Sequence, residues 1–145
     1  RESGGILRGI LWHQGGADSN DMRCAERYAD NLVRMVERLR REARPDARGG
    51  SARGERATIP FVAATMSRGV DERGDYAYQS RPRRIVDGVH RSVAELLPHA
   101  DFVNGDDLVP PAYPCGQNSC VHYGAEANRI QGRRFAEAIR RIAGR

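Results

Sequence analysis

Lysine is absent from this chain: all 24 basic residues are arginine. Set beside 19 acidic residues, that uniform choice reflects a GC-rich genome more readily than a surface selected for charge. No segment concentrates positive charge without acidic neighbours. The arginines of 34–44 interleave with Glu37 and Glu42, and those of 133–141 with Glu137, the mixture of a solvated helix face. A net charge of +5 is therefore a poor argument for nucleic-acid binding, which in a single domain usually shows a one-sided patch. Long apolar runs are also lacking. Nothing approaches the ~20 residues of a membrane span, and no basic-then-apolar leader with a small-residue cleavage site is present. The chain opens on Arg1 and not on Met, so the sequence is expected to continue upstream, where a leader could lie.

Cysteine is scarce, with three in 145 residues, too few for a disulfide framework. Cys115 and Cys120 enclose the tetrapeptide GQNS and could form a small local disulfide, which would point to a secreted or periplasmic protein. Two free thiols are an equal reading, and the compartment stays open. A lone C-x4-C followed by His122 lacks a second ligand pair, so neither a zinc site nor another metal or cofactor is expected.

What is present is enough for one domain. A hydrophobic fraction of 39% over 145 residues supports a modest core. Residues 6–12, ILRGILW, read as a buried strand. The loop WHQGGADSND follows, and Asn20 or Asp21 can cap a helix running to about Arg44, with Ala25, Tyr28, Leu32, Met35 or Val36 and Leu39 at helical spacing. It should stop before Pro45. Residues 45–57, without a large apolar side chain, are expected to be a mobile surface loop. TIPFVAATM at 58–66 reads as a second strand, residues 83–97 as a second helix, DFVN at 101–104 as a third strand, and residues 124–143 as a last helix with Ala127, Ile130, Phe135, Ile139 and Ile142 inward. Alternating strands and helix-length crossovers imply an α/β fold: a parallel sheet with helices on both faces, three layers in all. Three strands are few for such a sheet, so N-terminal strands are expected to be missing from residues 1–145, which form a single, partial domain.

In open parallel sheets, ligand groups gather in loops leaving the carboxyl ends of the strands. Two unusual loops fall there: WHQGGADSND after the first strand, and the segment ending in SCVHYG before the last helix. His122 can act as general base, its ordinary pKa lying near working pH. Gln14 can donate its side-chain amide to a developing oxyanion, with a backbone N–H at Gly15 as a second donor. Asp18 could contact substrate, although an aspartate leading a helix is more often a turn or cap residue. Trp12 reads as a core residue at a strand end, while His13, His90 and His99 carry no spacing signal and read as structural or surface residues.

ILWHQGGADS resembles the W-x-Q-G-E-S-D signature of the SGNH hydrolases, in the branch of the sialate O-acetylesterases and acetylxylan esterases of carbohydrate esterase family six. SCVHYGAEANRIQGRRFAEAI resembles that family's terminal block, D-x-x-H followed by a helix. The resemblance implies an SGNH or flavodoxin-like fold and an enzyme that removes acetyl groups from carbohydrate, with His122 as the catalytic histidine, Gln14 as the oxyanion amide and Gly15 beside it. It also implies that the nucleophilic serine, carried by a G-x-S block on the family's first strand, lies outside this chain. CGQNSC is similar to the family's G-Q-S-N block, but its serine follows the asparagine and it lies beside the histidine, with no helix of its own. Two acidic positions differ: Gly16 replaces the glutamate after Q-G, and Ser119 replaces the aspartate three residues before His122. Loss of that aspartate costs on the order of 10⁴ in rate in the serine-protease analogue; Asp106 or Asp107 is a conceivable substitute. The alternative to an esterase is a degenerate relative that binds glycan without turning it over.

Overall fold

The computed structural model describes residues 7–43, 58–68, 80–108 and 122–143. The elements run β1 (Ile10–Trp12), a 3-10 turn (Asp18–Asn20), α1 (Met22–Glu42), β2 (Phe61–Ala64), α2 (Arg81–Arg91), α3 (Val93–Leu96), β3 (Ala100–Val103) and α4 (Ala125–Ala143). The strands form one parallel sheet in the order β1-β2-β3, with Ile10 opposite Phe61 and Phe61 opposite Ala100. This is the expected α/β architecture. The segment 45–57 and the cysteines at 115 and 120 lie outside the described residues, as does Ser119.

Strand β2 reads FVAA, and all four residues are wholly buried. Side chains alternate across a strand, so Phe61 and Ala63 face one layer and Val62 and Ala64 the other. The first pair packs with Ala25, Leu32 and Val36 of α1 and Val86 of α2; the second packs with Val103 and with Phe135, Ala138 and Ile142 of α4. Two cores on opposite faces of one strand make the three layers. Among the described residues, no helix is long and apolar enough to cross a membrane.

Helix α1 starts where Asp21 accepts hydrogen bonds from the N–H groups of Arg23 and Cys24, at 2.8 and 3.1 Å, satisfying two donors that the first turn leaves without helical partners. Its buried stripe differs from expectation at one point. Leu39 is 38% exposed, and Arg40 takes the inward position at 8%. The reason is at the amino ends of the strands. Arg40 donates Nε to the Ile59 carbonyl at 2.9 Å and Nη2 to the carbonyls of Pro98 and His99 at 2.9 and 3.2 Å. One guanidinium thus ties the entries of β2 and β3 together. His99, with φ at 49°, is in the left-handed region that non-glycine residues seldom occupy. Its carbonyl also accepts from Phe61 N–H at 3.0 Å, which holds that conformation in place.

The expected helix over 83–97 is two helices. Ser80 caps the first, accepting from Arg83 N–H, so α2 begins at Arg81 with Pro82 in its first turn, where the missing donor of proline costs nothing. At Ser92 both the backbone N–H and the hydroxyl bond to the Gly88 carbonyl, each at 3.0 Å, and the chain restarts as α3. Arg40→Met should lower stability by about 2–4 kcal/mol, since three carbonyls lose a charged donor at once. A denaturant melt reads the change, and Arg40→Lys, with one point charge for three acceptors, should recover only part of it.

Candidate active site

The loops after β1, β2 and β3 meet at the carboxyl end of the sheet, together with the segment entering α4. Beyond β2, Thr65 N–H bonds to the Val103 carbonyl at 3.0 Å, and its Oγ1 accepts from Gly105 N–H at 2.8 Å. Tyr123 closes over this join, its hydroxyl donating to the Gly105 carbonyl at 3.3 Å. The ring of Tyr123 also stacks on His13, with centroids 5.7 Å apart and planes at 15°. The residue before Gln14 and the residue after His122 are therefore in contact, although they lie at opposite ends of the sequence. The side chains of Gln14 and His122 are exposed, whereas Gly15 is buried. His13 keeps an exposed edge, yet packing around its ring lowers its pKa, and the Arg83 guanidinium and His122 push in the same direction. His13 was not singled out by its sequence spacing; its position at the end of a strand, between Trp12 and Gln14, was the available signal.

The Q-G loop is fixed from beneath by a buried polar group. Trp12 donates Nε1–H to the Tyr28 hydroxyl at 2.9 Å; that hydroxyl lies 2.9 Å from the Gln14 carbonyl oxygen and 2.8 Å from His90 Nε2. Burial pushes the phenol up to about 12 and the imidazole down to about 4, so both are neutral at pH 7. Neither was foreseen as part of the site. The signals were a tyrosine on an inward helix stripe, whose hydroxyl needs a partner, and a histidine among the apolar positions Val86, Val89 and Val93. Further along, Ser19 N–H bonds to the Gly15 carbonyl at 2.9 Å, and Ser19 Oγ donates to the Gly16 carbonyl at 2.7 Å. Asp18 opens this 3-10 turn and is half-buried.

Gly15 has φ at 141°, and a Cβ there would come within 2.7 Å of Val86 Cγ1 and 3.2 Å of the Tyr28 hydroxyl. Neither backbone nor space admits a side chain. Gly16, one residue on, faces nothing within 4 Å.

The two acids considered as substitutes for the aspartate of His122 are committed elsewhere. Asp106 pairs with Arg91 at 2.6 Å and Arg68 at 2.9 Å, and Asp107 holds Arg134 through two contacts of 2.6 Å. Burial alone would raise the Asp106 pKa, but hydrogen bonds from Arg91 and Arg68 outweigh it and bring the carboxyl below its ordinary value. These pairs brace the loop after β3. A neighbouring cleft beyond β2 is lined by Met66, Arg83, Asp87 and Arg91 among others, with Asp87 accepting from Met66 N–H at 2.7 Å. Among the described residues, no group of three or more His, Cys, Asp or Glu side chains could hold a metal ion.

Comparison with known proteins adds three findings. The family model for carbohydrate esterases described as sialic acid-specific acetylesterases matches residues 1–141. A probable carbohydrate esterase of Arabidopsis thaliana is 38% identical over 42 residues, covering 29% of this chain and 16% of that protein. A solved carbohydrate acetylesterase family member from Sinorhizobium meliloti superposes with a TM-score of 0.57 at 19% identity, over 96% of this chain and 63% of that one. The chain thus spans less than two thirds of the length of each relative.

Two outcomes are expected. Gly15→Ala should destabilise the protein by roughly 2–4 kcal/mol, combining a disfavoured φ with overpacking against Val86, as a thermal melt would register. The second concerns pH. An unfolded histidine takes up its proton near 6.5 and His90 in the fold only near 4, so acid favours the unfolded state. Stability is then fully present above pH 6.5 and falls by about 3 kcal/mol as the pH drops to 4. His90→Gln should flatten that part of a stability-against-pH curve.

Proposed function

We propose that this chain, which belongs to the family of carbohydrate esterases described as sialic acid-specific acetylesterases, supplies the base and oxyanion side of an O-acetylesterase site acting on acetylated carbohydrate. In this reading His122 is the general base, the Gln14 amide and the Gly15 N–H receive the oxyanion, and Asp18 is available to substrate. The serine nucleophile comes from a part of the protein outside residues 1–145, the same part that would add strands to the sheet. The reading calls on neither nucleic acid nor membrane as partner.

The observation that carries this reading is the contact between the two sequence blocks, His13 against Tyr123, at the end of the sheet where parallel folds bind ligands. The chemistry follows from the groups assembled. His122 takes the serine proton as Oγ attacks the acetyl carbonyl carbon, and the carbonyl oxygen becomes an oxyanion facing two N–H donors. The tetrahedral centre collapses with expulsion of the sugar oxygen, which receives the proton from His122. Water then attacks the acyl-serine by the same route, releasing acetate and restoring the hydroxyl.

A second reading is a glycan-binding relative without turnover. It is favoured by Gly16 and Ser119 at acidic positions and by the engagement of Asp106 and Asp107 with arginines, which leaves His122 without either as a carboxylate partner. Acetate release by the full-length protein from p-nitrophenyl acetate and acetylated xylan separates the two. The esterase reading expects turnover that falls by about a hundredfold or more in His122→Ala and rises in Ser119→Asp. Equal rates with and without His122 would remove its catalytic role, and sugar binding without turnover in any form would favour the second reading.

A further inference from the structure

The Tyr28 hydroxyl has one proton and three polar neighbours, and their identities decide where that proton goes. Trp12 Nε1 can only donate and the Gln14 carbonyl can only accept. His90 Nε2 does either, according to its tautomer. With the proton on Nε2, Trp12 and His90 both donate to the phenol oxygen, and the phenol donates to Gln14, so three hydrogen bonds form at 2.9, 2.8 and 2.9 Å. With the proton on Nδ1, the phenol must serve Nε2 and the Gln14 carbonyl loses its donor. The Ala64 carbonyl stands close enough to the ring to favour its protonated form, but it makes no hydrogen bond of sound geometry with Nδ1, so it repays little of that loss. His90 is wholly buried and Tyr28 is 4% exposed, so water does not compete for the arrangement.

The Gln14 carbonyl belongs to the same peptide unit as the Gly15 N–H. A planar trans peptide points its N–H opposite to its C=O. With the carbonyl turned onto Tyr28, the Gly15 N–H points away from it, and no acceptor among the described residues is paired with that N–H. A hydrogen bond received at the carbonyl also polarises the unit and strengthens the N–H as a donor. Two N–H groups converging on the phenol oxygen do the same for its O–H. The left-handed φ of Gly15 is what allows the chain to continue after this turn.

We propose that Tyr28 and His90 are positioning residues that aim the Gly15 N–H at the developing oxyanion and strengthen it as a donor, through the chain His90 Nε2–H to Tyr28 O–H to the Gln14 carbonyl. The inference rests on the esterase reading above and adds to it a buried relay that touches neither substrate nor nucleophile. A donor set fixed before the reaction stabilises the transition state more than the ground state. Loss of the relay therefore lowers kcat and leaves KM nearly unchanged, a split that general loosening of the fold does not produce.

The test is steady-state hydrolysis of p-nitrophenyl acetate by the full-length protein and its Tyr28→Phe, His90→Leu and His90→Gln variants, with His122→Ala as reference. Tyr28→Phe and His90→Leu should lower kcat by about tenfold or more, the loss of a whole oxyanion donor being worth 10²–10³, with KM within about twofold of the parent. His90→Gln, whose amide can present an N–H close to Nε2, should recover most of the rate. Where Tyr28→Phe fails to fold, the two His90 variants decide, since both leave the phenol in place. An inactive His122→Ala beside an unaltered kcat in Tyr28→Phe and His90→Leu overturns the positioning role alone, as does a His90→Gln no better than His90→Leu. An unaltered rate in His122→Ala, or no turnover in the parent, overturns the esterase reading and this inference with it.

Discussion

The structure depends on a strand with no exposed side. Strand β2 contributes four residues, FVAA, each at 0% exposure, hydrogen-bonded to a parallel neighbour on either edge. A strand so placed must be apolar on both faces, and both of its flanking connections must run through helices, because parallel strands cannot be joined by tight turns. All three carboxyl ends then point the same way. The gathering of four separate segments at one end of the sheet is a consequence of that constraint, and Thr65 marks where it takes effect. There the backbone ladder ends, and a side-chain oxygen takes over the role of holding the next strand's exit.

Much of this was legible in the sequence because periodicity and capping are local. Strand, helix and loop order, a cap at Asn20 or Asp21 and the inward stripe of α1 from Ala25 through Leu32 follow from spacing, and the structure decides for Asp21 and Val36. Arg40 was not legible, since spacing that favours Leu39 carries no information about three carbonyls arriving from residues 59, 98 and 99. The break at Ser92 was hidden because apolar positions continue in step across it, and the serine hydroxyl's bond back to the Gly88 carbonyl, a contact that bends helices, leaves no mark on that spacing. For the candidate site, the resemblance singled out Gln14, Gly15 and His122, all on loops. It missed Tyr28 and His90, which sit 62 residues apart in sequence and meet only because α1 and α2 pack on the same face of the sheet. Asp106 or Asp107, a conceivable substitute acid from its place after the last strand, pairs instead with arginines of α2 and α4.

The carboxyl end of the sheet is organised as a wet surface over a dry support. Gln14 and His122 reach solvent, while the groups that orient the backbone beneath them are buried and neutral. Neutrality matters in that location. A charged group in the place of Tyr28 or His90 would be expensive to bury and would bias the charge on anything bound above it. A phenol, an indole and an unprotonated imidazole supply direction without net charge. The charged pairs are kept to the side, on the loop after β3, where arginines from α2 and α4 hold the two aspartates.

The space beside Gly16 is open, with nothing within 4 Å of where a Cβ would stand. The peptide turns at this point through Ser19, whose N–H and hydroxyl hold the carbonyls of Gly15 and Gly16, and through Gly15 itself. The side chain at position 16 has no part in it. An acidic residue could therefore stand here without displacing a neighbour. Position 16 is thus a place where a charged side chain could be introduced toward the site while the turn itself stays as it is.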